Sequence, residues 1–216
     1  MAFYKDRIYP ALVNRLGNPK PIQALRRQII PLAHGIVLEI GVGAGANLGH
    51  YDRARVRRLY ALEPNQGMRR LAETEQRRTS LDVTFLSEPG EHIPLEAESV
   101  DTVVSTFTLC TIQSLPDALR GIEKVLKPGG ALIFIENSVA TDPNVQWWQY
   151  RWEPILHLAF AGLFLTRDMP SHLVRAGFRL ERMEQLYLTP FPKSWAHCCW
   201  GTARRSQAEQ GSRPGA

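Results

Sequence analysis

A chain of 216 residues, 44% of them hydrophobic and 22% charged, is long enough for one domain with a sizeable core and too apolar to remain disordered. Its net charge of +5 is spread over short pairs (Arg26-Arg27, Arg57-Arg58, Arg69-Arg70, Arg77-Arg78, Arg204-Arg205) with no basic run interleaved with aromatics, so nucleic acid is not an expected partner. Three cysteines, Cys110, Cys198 and Cys199, make a poor disulfide framework and offer no Cys-x-x-Cys metal spacing, which points to a reducing, cytoplasmic setting without a bound metal.

The N-terminus has no apolar signal core. Ile8, Leu12, Val13 and Leu16 fall at helical spacing, Pro19 and Pro21 interrupt, and residues 23–30 resume the pattern. A strand follows at Ile36 to Ile40 and runs into Gly41-Val42-Gly43-Ala44-Gly45. Glycine is needed where backbone turns at positive φ or lets a ligand approach closely. A strand feeding a glycine turn and then a short helix, here about residues 47–51, is the nucleotide-cofactor corner of an open α/β sheet. The spelling is G-x-G-x-G rather than the dinucleotide G-x-G-x-x-G, in which a helix N-terminus receives a pyrophosphate. It suits a cofactor without phosphate, such as S-adenosylmethionine (SAM). Glu39, two positions before the first glycine, is placed to attract the ammonium of such a cofactor. The second strand, Val56 to Leu62, ends at Glu63, about twenty residues past the glycines, where these folds set a carboxylate against ribose hydroxyls.

The sequence here resembles the class I SAM-dependent methyltransferases, through Glu39-x-Gly41-x-Gly43-x-Gly45, Leu62-Glu63-Pro64 and Val125-Leu126-Lys127-Pro128-Gly129-Gly130. The resemblance implies an α/β, Rossmann-like, doubly wound sheet of seven strands, mostly parallel with an antiparallel final strand. It implies a single domain over 1–205, with N-terminal capping helices in 1–33, a helical substrate segment over 141–176 between strands five and six, and a disordered tail at 206–216. It assigns Glu39, Gly41, Gly43, Gly45, Asn47, Glu63 and Pro64 to SAM, and turns Tyr4 and Tyr9 of the capping helices towards a ligand.

A helix is expected over residues 66–78, opened by Asn65 or Pro64, and a third strand over 81–86. In many relatives the next loop reads Gly-Asp-Ala-Glu-x-Leu-Pro, its Asp contacting adenine. Here Pro89 takes that place, with neither carboxylate nor N–H. Glu88 becomes the candidate for the contact, and the N–H of Gly90 or Glu91 for an adenine ring nitrogen. Strand four, 99–105, begins near Asp101, which caps nearby backbone. Thr106, Phe107 and the residues to Ile112 then lie at a strand's carboxyl end, beside the methyl-transfer point. A helix over 115–126, a Lys127-Pro128-Gly129-Gly130 turn and strand five over 131–136 follow. Trp147, Trp148, Arg151 and Trp152 crowd the next helix, as walls of a substrate pocket or as anchors at a lipid interface. The apolar run from Ile155 to Leu165 is too short to span a bilayer. Two final strands are expected over 178–187 and 195–203.

Leu109-Cys110-Thr111-Ile112, together with Trp148, Trp152, Pro154, His157 and Leu165-Thr166-Arg167-Asp168, is similar to the membrane-associated thiol methyltransferase family. The chain departs from that family at Gly162-Leu163 and lacks its N-terminal membrane helix, so insertion into a membrane is not expected, while peripheral contact stays open. The resemblance favours methylation of a small apolar thiol. N-methylation of a phospholipid head group, O-methylation of a quinone-like phenol, and SAM binding without catalysis remain as alternatives. An acceptor needing a base would find it in His157 or Glu136; Cys110 lies beside the methyl site, as packing or as a reactive group.

Overall fold

The computed structural model describes residues 19–160 and 162–206. Helix α1 (Lys20–Ile29) buries Ile22, Leu25, Arg26 and Ile29, the i, i+3, i+4, i+7 stripe of an amphipathic helix. Strand β1 (Gly35–Ile40) leads into the glycine loop, where the expected helix is only a 3-10 turn, Leu48–His50. Strand β2 (Val56–Leu62), helix α2 (Gln66–Gln76) and strand β3 (Val83–Leu86) follow. Asn65 caps α2, its Oδ1 accepting from the Met68 N–H at 3.0 Å. Next come β4 (Val100–Thr106), α3 (Leu115–Val125) and β5 (Leu126–Asn137). The Lys127-Pro128-Gly129-Gly130 stretch, expected as a turn, is a bulge within β5: Val100 pairs with Leu126, and the next pair along is Thr102 with Ala131. The chain closes with α4 (Pro143–Ala159), α5 (Met169–Arg175), β6 (Phe178–Tyr187), the helical turn α6 (Lys193–Ala196) and β7 (His197–Arg205).

The seven strands form one sheet in the order β3-β2-β1-β4-β5-β7-β6. All pairs are parallel except those of β7, which is antiparallel to both β5 and β6. Alternation along the strands feeds two cores. Val37, Leu59, Ala61, Val104, Ile133 and Ile135 pack with Ile22, Leu25 and Ile29 of α1 on one face. Leu38, Ile40, Val103, Leu132 and Phe134 pack with Leu115, Leu119 and Ile122 of α3 and Met169 and Leu173 of α5 on the other. Each such side chain contributes about 1.5–3 kcal/mol by leaving water. Asp101 accepts from the Ile36 N–H at 2.7 Å and pairs with Lys127 at 2.7 Å and Arg57 at 3.3 Å, tying the starts of β1, β4 and β5.

Because β1 has β2 on one side and β4 on the other, successive connections leave it in opposite directions. The crevice between β1 and β4 is the switch point where open α/β sheets take their ligands.

Candidate functional site

A cavity of about 680 Å³ opens beyond the carboxyl ends of β1, β2, β4 and β5. Its floor is the glycine loop, Gly41 to Ala44, held to β2 by the Gly41 and Val42 N–H groups, both donating to the Leu62 carbonyl at 2.8 and 3.1 Å. Gly41 has φ +67°, and a Cβ there would lie 2.3 Å from Thr108 Oγ1. Gly43 has φ +57° and lines the cavity, with nothing nearer than 3.9 Å to a would-be Cβ. The first glycine is required by its neighbour; the second leaves room for a ligand.

Glu63 stands beside the loop. One carboxylate oxygen accepts from the Gly43 N–H at 3.0 Å, the other from the Asn65 N–H at 2.9 Å, and lone pairs remain for hydroxyl donors. Burial raises its pKa, the two N–H groups offsetting part of the shift. Leu62, Pro64, Met68, Pro89, Gly90, Glu91 and Ile112 continue the lining around it. The apolar members among them suit the faces of a flat heterocycle.

Glu39 lies one layer deeper and is absent from the lining. It is 1% exposed, and its oxygens accept from Asn47 Nδ2 and Tyr51 Oη, both at 2.8 Å. The direct ammonium contact expected of Glu39 is thus replaced by a supporting one: it fixes Asn47, which with Gly45 also sits behind the wall. Burial raises the pKa of Glu39, against the opposing hydrogen bonds from Tyr51 and Asn47. Asn47 in turn bonds Thr106 Oγ1 at 3.1 Å and receives Arg26.

Glu136 departs from expectation in the same way. It is wholly buried and outside the lining. Its two oxygens accept from Ser105 Oγ at 2.6 Å and from the N–H groups of Thr108, Leu109 and Cys110 at 3.2, 3.2 and 3.0 Å. It shapes the loop after β4 and has no free path to an acceptor proton. Phe107, at φ +55°, turns the chain into that loop and lines the cavity with Thr106 and Thr108. Cys110 reaches the lining but is wholly buried. Burial, then the Glu136 charge, pushes its thiol well above its usual range, so it is an inert thiol rather than a nucleophile. Burial and the Glu136 charge also push the Cys198 thiol up, to about 12.

The opposite end is apolar: Leu156, Phe160, Leu163, Leu188, Phe191 and Trp195 line it. Trp152 stands behind, edge-on to Trp195 with centroids 5.4 Å apart. Glu153 binds the segment after α4 to the helix, accepting from the N–H groups of Leu165 and Thr166 and from Thr166 Oγ1, each at 2.7 Å. Arg167 clamps the loop after β4 through the carbonyls of Leu109 and Gln113, at 2.7 and 3.2 Å.

Five other expected residues lie off the cavity wall. Trp147 and Trp148 are 56% and 50% exposed, and Arg151 is exposed with them, 5.8 Å from the Trp147 ring. Buried Gln149 sets this rotation: its Oε1 accepts from the Ala140 N–H at 2.8 Å and its Nε2 donates to the Ser138 carbonyl at 3.1 Å. The indoles on the other side of the helix therefore face outward. His157 packs on Phe164, centroids 4.6 Å apart, and is not in the lining. Glu88 is exposed and off the wall. Tyr4 and Tyr9 lie outside the described residues.

The structure adds cavity residues that sequence reasoning missed: Ile22 and Arg26 of α1, Gln113, and Leu188, Phe191 and Trp195 around α6. One signal was available for Arg26, a charge standing on an otherwise apolar helical stripe. The segment around α6 carries no motif.

Residues 38–134 match the family model described as a methyltransferase domain. The human thiol S-methyltransferases TMT1A and TMT1B are 32% and 33% identical over 167 and 166 residues, covering 74% of this chain and 65% of each relative. The chain thus spans a little under two thirds of their length. Among solved structures, an S-adenosylmethionine dependent methyltransferase from Mesorhizobium loti superposes with a TM-score of 0.63 at 17% identity, covering 88% of this chain and all of that one. No helix among the described residues is long and apolar enough to cross a membrane.

Proposed function

We propose that the chain is a class I SAM-dependent methyltransferase and that it methylates the sulfur of a small apolar thiol. One observation carries the choice of acceptor. Among the described residues, the charged ones lining the cavity, Arg26, Glu63 and Glu91, all come from α1 and the loops after β2 and β3, whereas the described part of the wall contributed by residues 156–196 is uncharged. A phenol or alcohol needs a general base at that wall. A thiol, with a pKa of about 8.5, is a few per cent thiolate at neutral pH and needs none. The similarity to the two human thiol S-methyltransferases supports the same acceptor.

SAM supplies an activated methyl group on a sulfonium and leaves as neutral S-adenosylhomocysteine. The residues present fit it. Glu63 accepts the ribose hydroxyls, Leu62, Met68 and Ile112 flank the adenine, and the missing Cβ of Gly43 admits the chain between ribose and sulfur. Thr106, Phe107 and Thr108 border the path to the acceptor. Phe160, Leu163 and Trp195 hold the acceptor's apolar body and keep water out, so the contribution of the chain is alignment and desolvation.

A second acceptor, a lipid head group, is favoured by the outer face of α4. There Trp147, Trp148, Ile155 and Leu158 are all at least half exposed and, with Arg151, share one stripe.

The test is methyl transfer from labelled SAM to small thiols, amines, phenols and phosphatidylethanolamine, with and without liposomes. Transfer to a soluble thiol without liposomes supports the proposal. Transfer to lipid alone replaces it with the second reading. Cofactor binding with no transfer to any acceptor favours a binding module.

A further inference from the structure

The cavity holds a cation that nothing in the described chain neutralises at contact. Arg26 is 6% exposed, on the inner stripe of α1. Its Nη1 donates to two neutral oxygens, Asn47 Oδ1 and, at 2.9 Å, Thr106 Oγ1. Among the described residues, its buried Nε has no partner and no carboxylate lies within ion-pair distance. Glu39 balances the charge only at a distance, because its oxygens are occupied by Asn47 and Tyr51. A buried guanidinium without a bonded anion is costly, since desolvation is not repaid at contact. Asn47 and Thr106 also bond each other at 3.1 Å, so the cation is held rigidly where the end of β4 meets the residues after the glycine loop.

We infer that Arg26 anchors the α-carboxylate of the cofactor's methionine end. The inference rests on SAM being the cofactor. The two ends of the bound molecule then meet opposite charges: hydroxyl donors of the ribose face the Glu63 carboxylate, and the only carboxylate of the ligand faces the arginine. A ligand inserted the other way round would bring its carboxylate to Glu63 and is rejected. Arg26 thereby fixes the direction in which the methyl group points. A guanidinium fork is suited to this, since it can meet a carboxylate through two parallel bonds.

Calorimetry on the full chain tests it with three probes: SAM, decarboxylated SAM, and 5′-methylthioadenosine, which lacks the amino-acid end. The wild type is expected to bind SAM about 10–100-fold more tightly than its decarboxylated form, the size of a hydrogen-bonded charge. In Arg26→Met that preference collapses to within about threefold, while affinity for methylthioadenosine is unchanged. Arg26→Lys retains part of it. An equal loss of affinity for all three ligands in Arg26→Met would show that the arginine only braces α1 and would overturn the inference. So would a wild type that binds SAM and its decarboxylated form alike, a comparison that stands even where the variants fail to fold. A wild type that binds none of the three overturns the cofactor reading, and the inference with it.

Discussion

The glycine loop and the wall that faces it are held by different forces. Around the loop buried carboxylates make short polar bonds: Glu63 to the N–H groups of Gly43 and Asn65, Glu136 to three consecutive N–H groups, and Glu39 to the side chains of Asn47 and Tyr51. The facing wall is apolar side chains from α4, the segment after it and the turn α6, secured from behind by Glu153, Arg167 and the Trp152–Trp195 contact. Hydrogen bonds are directional and fail when one atom moves, whereas apolar packing tolerates exchange at similar volume. The first end is suited to one ligand held in one pose, the second to a range of acceptors.

Gly41→Ala should break the polar end most severely. Its Cβ would collide with Thr108 at φ +67°, which should cost about 3 kcal/mol and lower the melting temperature by about 6–12 °C, with S-adenosylhomocysteine binding lost in calorimetry. Glu136→Gln comes next. It leaves donors facing donors in a buried loop, and urea denaturation should show a loss of about 2–4 kcal/mol. A variant that unfolds normally yet turns over poorly would instead restore Glu136 as a base.

Glu63→Gln sharpens the contrast without unfolding the chain. Affinity for S-adenosylhomocysteine should fall about 10–100-fold at neutral pH. Because burial raises the pKa of Glu63, wild-type affinity should hold at neutral pH and decline on acidification, starting above the ordinary carboxylate range. The variant should lose that dependence across a calorimetric pH series. The smallest effect belongs to the apolar end: Trp195→Ala should raise the KM for an apolar thiol roughly tenfold and leave cofactor affinity within about twofold. A matching loss of cofactor affinity would show that the two ends are not independent.

The polar end is also the end that was legible in the sequence. Parallel strands buried on both faces read as apolar runs, the glycines mark the turn, and Asn65 and Asp101 announce their backbone partners by position. Legibility stopped at side-chain direction. Glu39, Glu63 and Glu136 all lie at or near carboxyl ends of strands, yet only Glu63 reaches the cavity. Which way each points depends on neighbours, Tyr51 for one and the 108–110 N–H groups for another, that the local sequence does not reveal. The indoles of α4 misled for a similar reason. A cluster of tryptophans looks like a pocket wall until Gln149, a residue without a motif, is seen to fix the rotation of the helix. The true wall is gathered from segments far apart in the chain, so no spacing announces it.

The place of β7 has a consequence for how the protein is made. It is the last of the described strands to be synthesised, yet it lies inside the sheet, between β5 and β6. Until residues 197–205 leave the ribosome, β5 presents a bare edge rich in Leu132, Ile133, Phe134 and Ile135. At about 5–20 residues per second, the stretch from α4 to α6 takes several seconds to emerge while that edge waits. The nascent chain is in that interval a template for wrong pairing and a natural client for a chaperone. Arg205, pairing with Glu98 and Glu123 at 3.0 and 2.7 Å, then locks the late strand to residues made long before it.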